Sequence, residues 1–239
     1  MKAKIIFSLL IAFSFLGNAQ DIPRSKHENM LWFGYYNSLV LKPRWTINSD
    51  IQGRTKEWYQ NWSQALVRTG VSFKTTDRIT VTAGVAHFRF FLTNMVTRSE
   101  WRPWQELMLN DKIGKVRLTY RLRFEQRFNQ KTLNNEPINV YQFNYRIRYR
   151  IDLRFPLIKE TDKNNLYVLI GDEVMINAGK AIVNNYFDQN RVYGGLNYEI
   201  NKKFSLQLQY MHINQLLSNG ITLDNIDLIR FNIYHTISL

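Results

Sequence analysis

The fold is decided by two neighbouring stretches, Val116–Phe128 (VRLTYRLRFEQRF) and Tyr141–Phe155 (YQFNYRIRYRIDLRF). In each stretch, apolar and aromatic residues alternate with polar ones, and most of the polar positions hold arginine. A helix would spread both sets around its circumference, whereas a strand sends successive side chains to opposite faces. Both stretches are therefore predicted to be long β-strands with one apolar face and one cationic face.

The same period of two recurs along most of the chain. It is visible, less purely, at residues 44–54, 64–73, 79–85, 191–200, 204–210 and 229–237. Residues 102–110 contain Pro103, which favours the start of a strand or an edge strand. Residues 166–176 are apolar on both faces apart from Asp172 and Glu173. After residue 19, no stretch of the chain approaches 18 consecutive apolar residues, so no transmembrane helix is predicted in residues 20–239.

Residues 1–19 have the pattern of a cleaved secretory signal peptide. Lys2 and Lys4 precede an apolar run, and small residues stand at 17 and 19, so cleavage is predicted before Gln20. A buried N-terminal helix or a membrane anchor is the alternative. The mature chain, residues 20–239, is then expected to be a single domain.

The composition agrees with an exported protein. The 239 residues contain no Cys, which excludes a disulfide scaffold, a thiolate metal site and a cysteine nucleophile. The net charge is +13 and 14% of the residues are aromatic. Such a charge first indicates nucleic acid or an anionic membrane surface as partner. The strand pattern instead assigns much of the charge to one face of a sheet.

These features together predict an all-β, antiparallel, up-and-down transmembrane β-barrel in the outer membrane of a Gram-negative cell, in contact with its lipid. A tilted strand needs about 9–11 residues to cross a bilayer, and aromatic residues near strand ends are typical of such barrels. A secreted soluble barrel or sandwich is the alternative. About eleven strand segments can be counted, but bacterial barrels usually have an even number. We therefore expect about 12 strands, with 10 as the second choice.

The connections are expected to differ between the two ends of the barrel. Tight polar turns are predicted at 41–43, 74–77, 111–115 and 201–203, with a longer connection at 156–165. Looser segments are predicted at 56–61, 92–101, 129–139, 177–189 and 214–225. Short turns at one end and longer loops at the other are typical of an outer-membrane barrel.

The candidate site is the cationic face of the two opening stretches. We expect its side chains to line the lumen and to attract small anions, since arginines in a pore favour anions and guanidinium groups bind carboxylate and phosphate. The candidate residues are Arg117, Arg121, Arg123, Glu125, Arg127, Arg146, Arg148, Arg150, Asp152, Arg154, Glu173 and Arg191.

The same arginines have a structural interpretation. Arginines opposite one another destabilise a sheet unless acids compensate them, and small barrels are usually filled by side chains. The acids that can supply counter-charges are Asp50, Glu106, Asp172 or Glu173, Glu199 and Asp227. The lumen is thus either a narrow anion path or a closed network in a barrel that contacts another envelope protein.

Four segments also resemble a known family. They are 120–128 (YRLRFEQRF), 145–150 (YRIRYR), 171–173 (GDE) and 187–191 (FDQNR) before Gly194-Gly195. They are similar to an uncharacterised, domain-of-unknown-function group of outer-membrane β-barrels common in Bacteroidetes-type bacteria. The resemblance implies an outer-membrane barrel and supplies no catalytic residues.

The sequence gives little reason to expect an enzyme, a cofactor, a metal or a nucleic-acid partner. The four histidines are not spaced as a metal pair, and His212 with Asn214 is only a faint hydrolase candidate. The segment 101–104 (WRPW) resembles a stacking platform for nucleic acid, but in an exported barrel an interfacial aromatic girdle with an inward arginine is the preferred interpretation.

Overall fold

The computed structural model describes residues 26–158 and 165–239, so the predicted signal peptide lies outside the described residues. These residues form eleven strands in one closed sheet, which confirms the predicted all-β barrel. No helix in the described ranges is long and apolar enough to cross a membrane. The strands are β1 (Lys26–Lys42), β2 (Trp45–Lys56), β3 (Asn61–Lys74), β4 (Ile79–Leu92), β5 (Met95–Ile113), β6 (Val116–Leu133), β7 (Glu136–Pro156), β8 (Asn165–Ala178), β9 (Phe187–Glu199), β10 (Phe204–Leu216) and β11 (Leu223–Ser238).

The barrel closes through a parallel pair of strands. β1 and β11 run in the same direction, with Lys26 opposite Asp224 and Val40 opposite Ser238, whereas consecutive strands are antiparallel. An up-and-down sheet with an odd number of strands must bring its first and last strands together in the same direction. The described residues thus form eleven strands and not the preferred 12. The pair of β1 and β11 is parallel, whereas an antiparallel barrel was expected.

The two ends of the barrel carry connections of similar length. We call the end where β1 begins the N end and the end where β11 finishes the C end. The N end has the connections 57–60, 93–94, 134–135, 179–186 and 217–222, and the C end has 43–44, 75–78, 114–115, 157–164 and 200–203. The predicted contrast between short turns and long loops is therefore not found.

Two of the segments predicted to be loose are mostly strand. Residues 93–94 and 134–135 form two-residue turns within the segments 92–101 and 129–139. All four turn residues have positive φ, between 49° and 67°, as in the type I′ turns whose twist matches that of a hairpin. Alternation identifies a strand only where one face is apolar. In these two segments both faces carry polar residues, so the sequence did not reveal that they are paired strands.

The outer wall of the barrel is apolar. Aliphatic side chains such as Val67, Leu122 and Leu208 point outward and are 56%, 48% and 51% exposed. Exposed aromatic rings lie nearer the strand ends. They are Trp45, Phe155, Tyr198 and Phe204 towards the C end and Trp62, Trp101, Phe128 and Phe143 towards the N end. An apolar band flanked by aromatic rings is typical of barrels that cross a membrane.

Two apolar clusters point into the barrel, although the alternation predicts a polar inner face. The first, on β1 and β8–β11, contains Met30, Trp32, Leu169, Tyr193, Met211, Ile213, Ile226 and Leu228. The second, on β3–β5, contains Leu66, Ala86, Phe88 and Trp104, with Phe90 packed against it. Gly70 and Gly84 make room for Trp104, because a Cβ atom on either would lie 2.8 or 2.7 Å from its ring.

Pro103 lies in the middle of β5, opposite Val85, and not at a strand start or in an edge strand. The ladder between β5 and β6 has no pair at residues 102 and 103 and resumes with Trp104 opposite Glu125. Proline has no N–H to donate, so it is accommodated where the ladder is already interrupted.

Candidate functional site

Arginines stand directly opposite one another on β6 and β7. The register sets Arg117 against Arg154, Arg121 against Arg150, and Arg123 against Arg148. Like charges in such positions destabilise a sheet. The hairpin therefore depends on carboxylates from its own neighbours and from other strands.

Glu125 and Glu173 compensate two of these arginines, Arg121 and Arg148. Glu125 on β6 is 1% exposed and accepts hydrogen bonds from Arg146 Nη2 at 2.7 Å and Arg148 Nη1 at 2.9 Å. Glu173 on β8 accepts a bond from Arg148 Nη2 at 2.9 Å and another from Arg121. Arg148 thus bridges two carboxylates, and each carboxylate holds two guanidinium groups.

Further carboxylates come from β5 and β9. Glu106 accepts a hydrogen bond from Arg123 Nε at 2.7 Å, and the fully buried Glu100 accepts bonds from Arg102 Nε and Arg127 Nε at 2.8 Å each. Asp188 on β9 also accepts a bond from the network. We call the whole set the arginine–carboxylate network: Glu100, Arg102, Glu106, Arg121, Arg123, Glu125, Arg127, Arg146, Arg148, Glu173 and Asp188.

The network fills one side of the lumen, between β5 and β9. Charge-assisted hydrogen bonds are strong at low dielectric, and a member that loses its partner there is costly. The network therefore fixes the register of these strands as well as neutralising their charge.

A cavity of about 680 Å³ lies inside the barrel and is lined by residues of all eleven described strands. Its volume falls in the range of about 300–1,000 Å³ that is usual for small-molecule sites. Fourteen of its lining residues are Arg or Lys and six are Asp or Glu. Three further carboxylates behind the lining, Asp50, Glu100 and Glu106, pair with lining arginines, so the excess is five positive charges. The lining of the lumen is therefore net cationic after the carboxylates of the network are counted.

The C end of the lumen is partly filled on the β1–β4 side. Ser38, Asn48, Ser72 and Thr82 are joined by side-chain hydrogen bonds of 2.8, 2.6 and 2.7 Å. A second cavity of about 450 Å³ lies near the turn between β5 and β6, and Arg154 lines both cavities. Arg154 therefore lies between the lumen and the C end on that side.

Comparison with known proteins places the chain in a family. A family model described as Protein of unknown function (DUF2490) matches residues 29–224. The chain belongs to this family. No curated protein matches it. Among solved structures, the siderophore receptor PirA from Pseudomonas aeruginosa is similar, with 11% sequence identity and a TM-score of 0.33. The similarity covers 75% of this chain and 37% of PirA, so the chain spans little more than a third of that receptor.

The lumen of this DUF2490 chain brings together the residues that the sequence singled out. Eleven of the twelve candidates line the large cavity, and the twelfth, Arg117, lines the smaller one. Arg117 lies 3.9 Å from Glu199, and Arg150 lies 2.9 Å from Asp152. Their role in binding anions stays a prediction.

Two of the acids considered as counter-charges face outward. Asp172 accepts a hydrogen bond from Asn190 at 2.7 Å on the outer wall, and Asp227 lies 2.8 Å from His212 Nδ1. Glu106 and Glu173 join the network as predicted, and Asp50 pairs with Arg68 at 2.7 Å. Strand parity decides these outcomes, since neighbouring residues such as 172 and 173 face opposite sides.

Sequence reasoning missed several lumen residues of this DUF2490 chain. Three of them belong to the network, namely Glu100, Arg102 and Asp188. Two others, Arg54 and Arg230, line the cavity but are not part of the network. The alternation around Arg54 and Arg230 placed them on polar faces, which was the available signal. Nothing in the sequence shows that these two strands meet through β1.

The remaining candidate motifs do not form a second site. Trp101 is exposed on the outer wall whereas Trp104 is 4% exposed inside, so the two rings do not form one stacking platform. His87 stacks near Trp101 with ring centroids 4.4 Å apart, and His235 stacks on Phe204 at 4.2 Å. Within the described residues, no group of three or more His, Cys, Asp or Glu residues is placed to hold a metal ion.

Proposed function

We propose that this chain is a transmembrane barrel of the bacterial outer membrane whose lumen admits and binds small anionic solutes. A cleaved signal peptide at residues 1–19 would export it, and the resemblance to a Bacteroidetes-type group implies the same envelope. The observation that carries the proposal is the cavity of about 680 Å³, whose lining keeps an excess of five positive charges after the carboxylates that pair with it are counted.

The outer wall supports the membrane part of the proposal. Large exposed apolar patches are rare on soluble monomers and mark contact with protein or lipid. Here they surround the whole barrel, with aromatic rings towards both ends. Lipid is the partner that covers a surface on every side.

The inner wall supports the anion part. Rings of arginine or lysine in a pore favour anions, and a positively charged lumen raises the local concentration of anions. Fourteen basic lining residues against six acidic ones leave the cavity cationic at neutral pH. A neutral or cationic solute would gain nothing from this arrangement.

A closed structural barrel is the second candidate function. The arginine–carboxylate network and the hydrogen-bonded row from Ser38 to Thr82 occupy much of the cross-section. In this case the connections at the barrel ends would contact another envelope component, and the arginines would serve stability alone.

Reversal potentials in planar bilayers distinguish the two. Under a salt gradient, the wild-type barrel is expected to be anion-selective, and Arg121→Ala and Arg148→Ala are expected to reduce that selectivity. Arg89→Ala is the matched control, since Arg89 is exposed outside the lumen. A cation-selective pore would overturn the proposal. A barrel that neither conducts nor binds anions would favour the structural function, and the same variants would then mainly lower its melting temperature.

We propose no catalytic role, no cofactor and no nucleic-acid partner. His212 bonds Asp227 at 2.8 Å and Asn214 at 3.2 Å on the outer wall, an arrangement in which both ring nitrogens are already engaged. A hydrolase would need a nucleophile at one of them. Hydrolysis of lipid esters by the purified protein, lost in His212→Ala, would contradict this assignment.

A further inference from the structure

Two lumen arginines flank one tryptophan in a single row across the closure of the barrel. Trp32 on β1 lies opposite Arg54 on β2 and opposite Arg230 on β11. Side chains opposite one another on neighbouring strands are close enough to interact. The parallel pairing of β1 with β11 creates this row, which joins strands from the two ends of the chain.

A third arginine reaches the same tryptophan. The guanidinium carbon of Arg54 lies 3.9 Å from the centre of the Trp32 ring, and that of Arg191 lies 5.2 Å from it. Arg54, Arg191 and Arg230 all line the same cavity. We call Arg54, Arg191, Arg230 and Trp32 the closure cluster.

The arginines of the closure cluster bond neutral groups. Arg54 Nη1 donates to Gln64 Oε1 at 2.8 Å, and Arg191 Nε donates to Gln189 Oε1 at 2.7 Å. Arg230 Nε donates to Asn232 Oδ1 at 3.1 Å, and its Nη2 donates to the hydroxyl of a tyrosine on β1. These partners orient the guanidinium groups and leave their charges uncompensated.

Carboxylates are scarce around the closure cluster. The one that reaches it is Glu173, whose Oε2 lies 3.8 Å from Arg191 Nη1, and Glu173 already binds Arg148 and Arg121 in the network. In the network, by contrast, the carboxylates accept bonds of about 3 Å or less. The arginines on the network side of the lumen are therefore paired with carboxylates, whereas those of the closure cluster bond mainly neutral groups.

Two buried donors in the closure cluster have no hydrogen-bond acceptor among the described residues. They are Arg54 Nε and Trp32 Nε1, and Trp32 is 5% exposed and lines the cavity. A buried donor without a partner is uncommon in native proteins and requires an explanation. An anion in the cavity would compensate the charges of the arginines, whereas the two donors themselves are buried away from its surface.

We propose that the closure cluster is a binding site for a compact, doubly charged oxyanion such as a phosphate group. Three guanidinium groups that share one distant carboxylate leave an excess of about two charges, which a dianion neutralises, and their planar forks suit its oxygens. The proposal rests on the proposed function, since it assigns the anion to one wall of the same lumen. The network on the other wall is nearly neutral, with six arginines against five carboxylates, so its arginines add to the charge of the lumen without forming the binding site.

Calorimetric titration of the purified full-length barrel with inorganic phosphate, at constant ionic strength, tests the site. Arg54→Gln and Arg230→Gln are each expected to weaken phosphate binding by about tenfold or more, as loss of a charge-assisted hydrogen bond does. Gln64→Glu is the sharper variant, because it keeps every arginine and supplies Arg54 with a carboxylate. It is expected to weaken phosphate binding by about tenfold and to leave the barrel folded.

Arg89→Gln removes one positive charge outside the lumen and is expected to leave binding unchanged. Phosphate should also bind more tightly than acetate, which carries one charge. Equal binding of phosphate by the wild type, Arg54→Gln and Gln64→Glu would overturn the site. If those variants stay anion-selective in bilayers with phosphate binding intact, the site fails and the proposed function survives. If the wild type neither binds phosphate nor passes anions, both fail.

Discussion

Glu125→Gln is the substitution that most directly tests the arginine–carboxylate network. Glu125 is 1% exposed and accepts bonds from Arg146 at 2.7 and 2.9 Å and from Arg148 at 2.9 Å. Arg102 lies 3.4 Å from the same carboxylate. The amide keeps the shape of the side chain but removes the charge that three guanidinium groups share.

The expected loss follows from these contacts. A hydrogen bond to a charged group contributes about 1.5–3 kcal/mol, and removing one partner of a buried ion pair costs about 3–5 kcal/mol. The remaining oxygen of glutamine can still accept bonds from one arginine. The other guanidinium groups lose their counter-charge and repel one another, so the cost of removing one partner of a buried ion pair applies. The free energy of unfolding should fall by about 3–5 kcal/mol.

Unfolding by guanidinium chloride in phospholipid vesicles, followed by tryptophan fluorescence, measures this loss. Glu136→Gln is the matched control, because Glu136 is exposed at the start of β7, and it should change stability by no more than about 0.5 kcal/mol. A loss below about 1 kcal/mol for Glu125→Gln, or one equal to that of the control, would show that the network does not hold the barrel together.

Three further substitutions test other features. Gly84→Val places a Cβ atom against the backbone oxygen of Thr69 and 2.7 Å from the ring of Trp104, so stability should fall by about 1–3 kcal/mol. The near-ultraviolet circular dichroism should also change, and an unaltered spectrum would contradict the packing. Asn134→Val puts a β-branched residue at a φ of 51°, so refolding into detergent micelles should slow, whereas Asn135→Gly should not slow it. Val67→Arg puts a charge on the outer wall, where a lipid-facing position should lose about 2–4 kcal/mol in vesicles; no loss there would argue against contact with lipid.

The positions of the strands followed from the sequence wherever one face was apolar. Val116–Phe128 and Tyr141–Phe155 lie within β6 and β7, and their arginines face inward. The polar turn regions of β5, β6 and β7 were read as loops, because residues 92–101 and 129–139 have no apolar face to reveal the pairing. The sequence showed which side chains of a strand share a face, but it did not show which side chains of other strands they contact.

The candidate site was predictable as a face and not as a set of contacts. The sequence identified the arginine ladder and three of its carboxylates, Glu106, Glu125 and Glu173. It did not identify Glu100 or Asp188, since their partners lie on other strands. Asp172 was an open alternative to Glu173, and only the register of β8 places it outside.

The sequence by itself determined that this chain is made of long amphipathic strands and that two of them carry a cationic face, because alternation is a local property of each strand. Only the tertiary structure decided that eleven described strands close through a parallel pair. It also decided which arginines bond carboxylates and which bond neutral groups. Arg121 bonds Glu173, 52 residues away, and Arg230 bonds the hydroxyl of Tyr36, 194 residues away. The physical reason is closure: the partner of a lumen side chain is set by strand order and register around the barrel, and these emerge only when the whole sheet is formed.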